Sequence, residues 1–485
     1  MATTESILKD RANTLITSAT SLEEVAYLIK GLGLGATSQV TVDAINAKVT
    51  SLSPTATSKE IAYVLKALDT TSGLSVDSGL DITKPYGLIW DDNADTYFRT
   101  GHTVPAVQQQ MRRCVTSGSP EYGGAVQYYL DADNSALKED GGASVLDGST
   151  GLQVRVEIPK HYVASYKLGS LNYDIMSLTP FTGGKTHDRF KKAGWTDSGD
   201  GTNAVNEISH AYVGAFEGCH YDASLATMVN GTAVAPVALD LVNDKVYSVA
   251  GFKPLSTITR ATARTLIANG GSKQYSWHDH DMIKRLFLVE YGTHNSQAMI
   301  AGYTENTAGA SYDNDALKTG LTVSLGNNSG SISGSANHLA AGGDGGYSGV
   351  VANSFRGIEN FFGHLWKWVD GINLTNAQPF ISALSGTFAD DIFTGDYIRA
   401  VDNDGLLVTQ PTSDGYQSTL HNGTNFVKTV GASSLTKITD YYYYASGNRV
   451  LMSGGSLNNS SNAGVSWLHA LSASSSVSWI LCSRA

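Results

Sequence analysis

The chain has 485 residues, a formal net charge of −11, only 16% charged residues and 51 glycines. No block of about five basic residues appears, which argues against nucleic-acid binding through the phosphates. Cys114, Cys219 and Cys482 are odd in number and far apart, which argues against a disulfide framework or a zinc site. The Gly, Ser, Thr, Asn and Tyr content suits a loop-rich extracellular or virion protein. MATTESILKD carries no apolar run of the signal-peptide kind, and no stretch of about 18 apolar residues exists to enter a membrane. The expectation is a protein made in a cytosol and released by lysis.

The first 70 residues repeat. SLEEVAYLIKGL (Ser21–Leu32) returns as TSKEIAYVLKAL (Thr57–Leu68), each copy opening with a capping box, Ser21 with Glu24 and Thr57 with Glu60. Helical spacing follows in both, and a weaker helix precedes each, over Glu5–Ile16 and Val42–Leu52. Two such short units bury little core alone, so residues 1–80 are expected to be a helical module for attachment or oligomerisation.

Strand alternation begins near Leu88 and Trp90, after Pro85. Asp91, Asp92 and Asp95 read as a solvated acidic turn, and Asp131, Asp133 and Asn134 as a turn rather than a calcium loop. VRVEIPKHYVASYKL (Val154–Leu168) alternates cleanly, with Val154, Val156 and Ile158 on one face and Arg155 and Glu157 on the other, as in a half-buried strand. Glu217, in AYVGAFEGCHYD, is a candidate buried and paired carboxylate with a structural role. Thr257–Gly270 has helical spacing with Ala261, Ala263, Leu266 and Ile267 inward, and Trp277–Ile300 is the second strong helix, capped by Asp279 or Asp281. His278, His280 and His294 lack metal spacing and read as cap and core residues. The Gly, Ser, Asn and Ala tract over 320–350 reads as a long surface loop.

SFRGIENFFGHLWKWVDGIN (Ser354–Asn373) concentrates aromatic area: Phe355, Phe361, Phe362, Trp366 and Trp368, with glycines at 357, 363 and 371. Trp366 and Trp368 share a face if the segment is a strand, and Arg356 and Glu359, three apart, are placed to pair across a turn. Asp402–Asn403–Asp404–Gly405 reads as a tight hairpin, since Asp-Gly supplies positive φ without an ion. The tail holds the tyrosine run Tyr441–Tyr444, the Arg449–Ser456 segment, Asn462–Gly464 and Ser483–Arg484. The signature and these anchors resemble the formylglycine-generating-enzyme-like (sulfatase-modifying factor) branch of the C-type lectin fold, in the version found in phage tail-fibre and receptor-binding proteins. The 80–101 segment, the V-E-I-P-K strand, the Glu217 segment and the 277–300 helix match the same family.

The resemblance implies an α+β protein: the helical module at 1–80, a β-rich opening region at 81–210, and a loop-rich C-type-lectin-like receptor-binding domain at 211–485. Phe355, Arg356, Glu359, Trp366 and Trp368 would form its structural core. The receptor-contacting residues it implies are Tyr443, Leu457, Asn458, Asn459, Ser466, Trp467, His469, Leu471, Ser478 and Trp479. Asn, Ser, Tyr and Trp together make an adaptable polar surface with rigid aromatic contacts. Burial of Trp467 and Trp479 in the core is an equally weighted reading of those two residues.

The function so implied is that of a tail fibre that adheres to a bacterial surface receptor, a glycan or a protein, without catalysis. A structural virion decoration, such as a collar or head fibre, is the alternative. A capsule depolymerase ranks lower, for want of an acidic pair. The oxidase chemistry of formylglycine-generating enzymes would need a second cysteine near Cys482. Partners would be a neighbouring virion protein, through the helical module, and two further copies in a homotrimer. No cofactor is expected; Asp313, Asn314 and Asp315 are the least implausible ligands for a structural calcium.

Overall fold

The computed structural model describes residues 84–485 except 235, 237, 306–314, 334–350 and 385. The helical module expected at 1–80, Asp313, Asn314 and most of the Gly- and Ser-rich tract lie outside the described residues.

At the centre is a nine-stranded sheet. Its spatial order is Tyr397–Arg399, Gln378–Ser382, Trp366–Thr375, Asn448–Ser453, Leu468–Ala470, Tyr441–Tyr444, Gly415–Leu420 and Val427–Val430, with Leu481–Cys482 added alongside Trp366. Two of its pairings are parallel, Trp366 with Leu481 and Tyr442 with Leu468; the others are antiparallel. A five-stranded sheet built from residues 86–186 and a four-stranded sheet containing Arg112–Thr116, Gln153–Pro159 and His210–Gly214 flank it, with two small three-stranded sheets. Among the described residues there are three α-helices: α1 (Arg260–Asn269), α2 (Trp277–Tyr291) and the single turn α3 (Ser296–Met299).

The described residues are therefore mostly antiparallel β, and the expected α+β class is overturned. The physical reason is burial on both faces. The strand Gln153–Pro159 is buried at every position, and Trp366–Thr375 at all but its first and last. Trp366–Thr375 lacks the hydrophobic–polar alternation by which sequence reading finds a strand, whereas Gln153–Pro159 alternates and is covered on both faces all the same. Arg155 and Glu157, expected on a solvated face, are inside. Arg155 donates to Gln153 Oε1 and Ser272, and Glu157 accepts from the hydroxyls of Tyr129 (2.9 Å) and Tyr212 (2.7 Å). Nor is 154–168 one strand: it breaks after Pro159, and Tyr162–Leu168 belongs to the five-stranded sheet.

Both helices begin near where expected. Thr259 caps α1, accepting from the Thr262 amide, and Ala263, Leu266 and Ile267 are buried while Ala261 is exposed. For α2 the cap is Ser276, in a reciprocal capping box with Asp279. The helix stops at Gly292, in the left-handed region at φ 71°, short of the expected Ile300. Phe287 of α2 packs edge-on against Phe355 at 5.4 Å and lies 5.5 Å from Phe361, so helix and aromatic signature share one core. That core also takes in Leu88, Trp90 and Val115 along with Leu451 and Leu468, so it runs across the boundary expected at 210/211.

Other local expectations change. Arg356 pairs with Glu290 of α2 at 2.6 Å, not with Glu359. Glu359 instead accepts from the amides of Gly320 and Thr322, both at 2.7 Å. Asp92 is buried and joined to Lys167 and Asn172, so it is not part of a solvated turn. The Asp402–Gly405 hairpin forms, with Gly405 at φ 74° and Val401 bridged to Leu407. Asp131 accepts from the amides of Asp133 and Asn134, as a turn-forming aspartate does.

Candidate functional site

The tyrosine run explains how the central sheet acquires two different faces. Successive side chains of a strand point to opposite sides. Tyr442 faces the main core with Leu468 and Leu451, whereas Tyr441 and Tyr443 point the other way. Neighbouring strands contribute to that second side in register: His469 stands beside Tyr443 and opposite Met452, while Trp366 and Trp368 lie one strand further on.

The result is a ladder of rings. Tyr416 meets Tyr441 at 5.0 Å, and Tyr441 meets Tyr443 at 4.6 Å. Tyr443 contacts His469 at 5.4 Å and Trp467 at 5.8 Å. Trp366 closes the ladder, stacked on His469 at 5.4 Å and on Trp467 at 5.9 Å. Polar side chains pin the outer rings. Trp366 Nε1 donates to Asn459 Oδ1 (2.7 Å), Asn462 Nδ2 donates to the Tyr443 hydroxyl (3.2 Å), and the Tyr416 hydroxyl donates to Asn462 Oδ1 (2.5 Å). Asn459 Oδ1 also accepts from Ser456, which fixes the loop that carries it.

The rungs differ in depth. Tyr416, Tyr441, Tyr443 and Trp366 are half-buried, Asn459 is half-buried, and Asn458 and Ser461 are exposed. Trp467 is completely buried, as are Leu457 and Ser466, so these three expected contact residues have no surface to offer and act as support. His469 is also buried, and burial pushes its imidazole down to about 4, so at neutral pH it is an uncharged ring. Trp479 is half-buried against the cluster of Tyr303, Leu365 and Leu457, which Trp366 also borders. Leu471 is exposed and Ser478 half-buried; among the described contacts none joins either to the ladder. Of the expected core set, Phe355, Glu359 and Trp368 are buried, while Arg356 and Trp366 are only partly so.

Sequence reading missed Tyr416 and Asn462 as surface-forming partners. The alternation of Tyr441 and Tyr443 within the run was the available signal for one side of the ladder. Tyr416 sits in an unremarkable strand and reaches the site only through its pairing with Tyr441.

The three cysteines are free and buried, and burial raises the thiols of Cys114 and Cys219 to about 12 and that of Cys482 well above its ordinary value, so none is a thiolate at neutral pH. Among the described residues no group of three His, Cys, Asp or Glu side chains converges as a metal site. His280 and His294 are buried, with burial lowering both, and His294 Nδ1 lies 3.0 Å from the Tyr97 hydroxyl. No helix among the described residues is long and apolar enough to cross a membrane. No protein-family model matches the chain, and no curated protein matches it.

Proposed function

We propose that this chain is a phage tail-fibre protein that recognises a receptor on the bacterial surface, a glycan, through the aromatic ladder and without catalysis. The observation that carries the reading is the ladder itself: half-buried Tyr416, Tyr441, Tyr443 and Trp366 held in place by Asn459 and Asn462. Rings of this kind offer large apolar faces at small entropic cost. The C–H faces of a pyranose stack on such rings while side-chain amides bond its hydroxyls. Buried Trp467 and His469 stiffen the platform from below, so little ordering is left to the moment of binding.

In this reading the protein is a component of the virion. Residues 1–80 dock it to a neighbouring virion protein, and three copies assemble into the fibre. The test is adsorption of purified protein to host cells, together with a panel of bacterial surface glycans. Tyr441→Ala combined with Tyr443→Ala removes adsorption while the melting temperature holds. Unchanged adsorption by the folded double variant overturns the assignment, and new reducing ends released from capsule would make the protein a depolymerase instead.

A further inference from the structure

A second site lies away from the ladder, where α2 begins. A cleft of about 540 Å³ opens between the Lys191–Trp195 segment, the first turn of α2 and the strand Tyr397–Arg399. Its floor is aromatic: Trp277 and Phe426 stack at 4.4 Å with their planes 10° apart. Its rim is apolar on one side, where Ile398 is 71% exposed and Val401 54% exposed. A second hollow of about 480 Å³ continues from it and shares Asp188, Lys191, Asp281, Arg285, Asn403 and Gly423. The two together make a trough rather than a closed pocket, the shape that suits a segment of polymer.

The charges lining the trough run against the charge of the chain. Five cationic side chains (Lys185, Lys191, Lys192, Arg285, Arg399) face two carboxylates, Asp188 and Asp281, in a protein of net charge −11. Internal pairing accounts for part of this. Arg285 is held by Asp281 and Asp174, and Lys191 by Asp188 at 2.6 Å while its ammonium lies 3.9 Å over the Trp195 ring. Lys192 and Arg399 have no carboxylate partner among the described residues. Arg399 Nη2 donates to Thr409 Oγ1 (3.0 Å) and more weakly to Val408 O (3.3 Å), and its enclosed Nε has no acceptor among the described residues.

We infer that this trough binds an acidic oligosaccharide, with sugar faces on the apolar rim and aromatic floor and carboxylate or phosphate groups at Lys192 and Arg399. Amides at Asn403 and Asn425 and the carboxylate at Asp188 supply the mixed donors and acceptors that a hydroxyl-rich chain requires. This goes beyond the ladder reading and does not depend on it.

The test is calorimetric titration of the full chain with oligosaccharides matched for length: oligogalacturonate, a polyol phosphate oligomer and a neutral maltooligosaccharide. At least one acidic oligomer binds, more tightly than the neutral one. Its affinity falls by about tenfold or more in the double variant Lys191→Glu, Lys192→Glu, and again as salt rises from about 50 to about 500 mM. The Tyr443→Ala variant binds it unchanged, which separates this site from the ladder. The carboxylate and phosphate arms tell which acid group is preferred. Equal binding of the neutral oligomer, binding of no acidic oligomer, or full affinity in the folded Lys191→Glu, Lys192→Glu variant overturns the inference.

Discussion

His364 Nδ1 and Glu217 Oε2 lie 2.5 Å apart in the interior, and Lys367 Nζ stands 3.1 Å from the other oxygen of the same carboxylate. The Leu317 amide donates to His364 Nε2 at 2.8 Å, so the ring proton sits on Nδ1 and points at Glu217. Burial alone would raise the Glu217 carboxyl. The contacts with His364 and Lys367 outweigh it and bring the group down to about 2. The buried, paired carboxylate expected at this position is present, and its partners come from the aromatic signature.

Acid should therefore loosen the protein here. Glu217 has a folded value below its unfolded one, so its contribution is complete above about 4.5 and is lost as pH falls from there towards about 2. Denaturant titrations at pH 6, 4 and 3 measure the loss. Glu217→Gln removes this part of the pH dependence. It also strands the Lys367 ammonium without a counter-charge, at a cost of about 3–5 kcal/mol at neutral pH.

Asp440 behaves in the opposite sense. It is buried under the ladder, accepting from the Ser466 amide at 2.6 Å, and burial pushes its carboxyl up to about 7 despite that bond and nearby Lys284. A raised acid favours the folded state at low pH, and its contribution fades as pH rises from about 4 through about 7. Buried neutral His280 and His294 pull the other way below about 6.5, so the wild-type slope alone is not diagnostic. The difference between wild type and Asp440→Asn is: the variant gains stability relative to wild type between pH 5 and pH 8, by melting temperature. A constant difference across that range would remove Asp440 from the account.

The two depths of the ladder predict a split between binding and stability. Trp467→Ala empties a fully enclosed site and should destabilise by about 3–5 kcal/mol, with binding lost only as a consequence. Tyr443→Ala removes a half-buried ring and should cost about 1 kcal/mol of stability or less, while reducing receptor adsorption at least about tenfold. Paired denaturation and adsorption measurements on both variants check this; an equal stability loss in the two would erase the distinction between support and contact.

Gly371 marks where the long central strand bulges. It sits at φ 67°, and a Cβ there would approach the Phe388 ring to 2.8 Å. Gly371→Ala should cost about 1–3 kcal/mol, through both backbone strain and the crowded ring. Adding Phe388→Leu should recover only the steric part, which a double-mutant cycle resolves.

What the sequence made legible followed local rules. A 3.6-residue period located α1 and the start of α2, although the α2 cap proved to be Ser276; Asp-Gly located the 402–405 hairpin, and the density of rings identified 355–368 as core. What it hid depended on distant partners. Nothing near Arg356 says that it will reach Glu290, 66 positions away. Arg155 and Glu157 looked solvated because their alternation was regular, yet Ser272, Tyr129 and Tyr212 cover them. In the tail, residue type pointed to a binding surface but could not sort Trp467 from Tyr443, since both stand on the same side of the sheet and differ only in what lies above them.

The Leu481–Ala485 segment lies at the centre of the architecture. Arg484 donates through Nη1 to the Gly214 carbonyl, 270 positions earlier, and also reaches the carbonyls of Glu359 and Asn360. Leu481 and Cys482 pair with Trp366 and Lys367, and the Ala485 carbonyl accepts from the Gly214 amide. Contacts of such long range are slow to find. The strands Trp366–Thr375 and His210–Gly214 are tied together through this one segment, so closing the aromatic interior depends on its distant contacts rather than on pairing between neighbours in the chain.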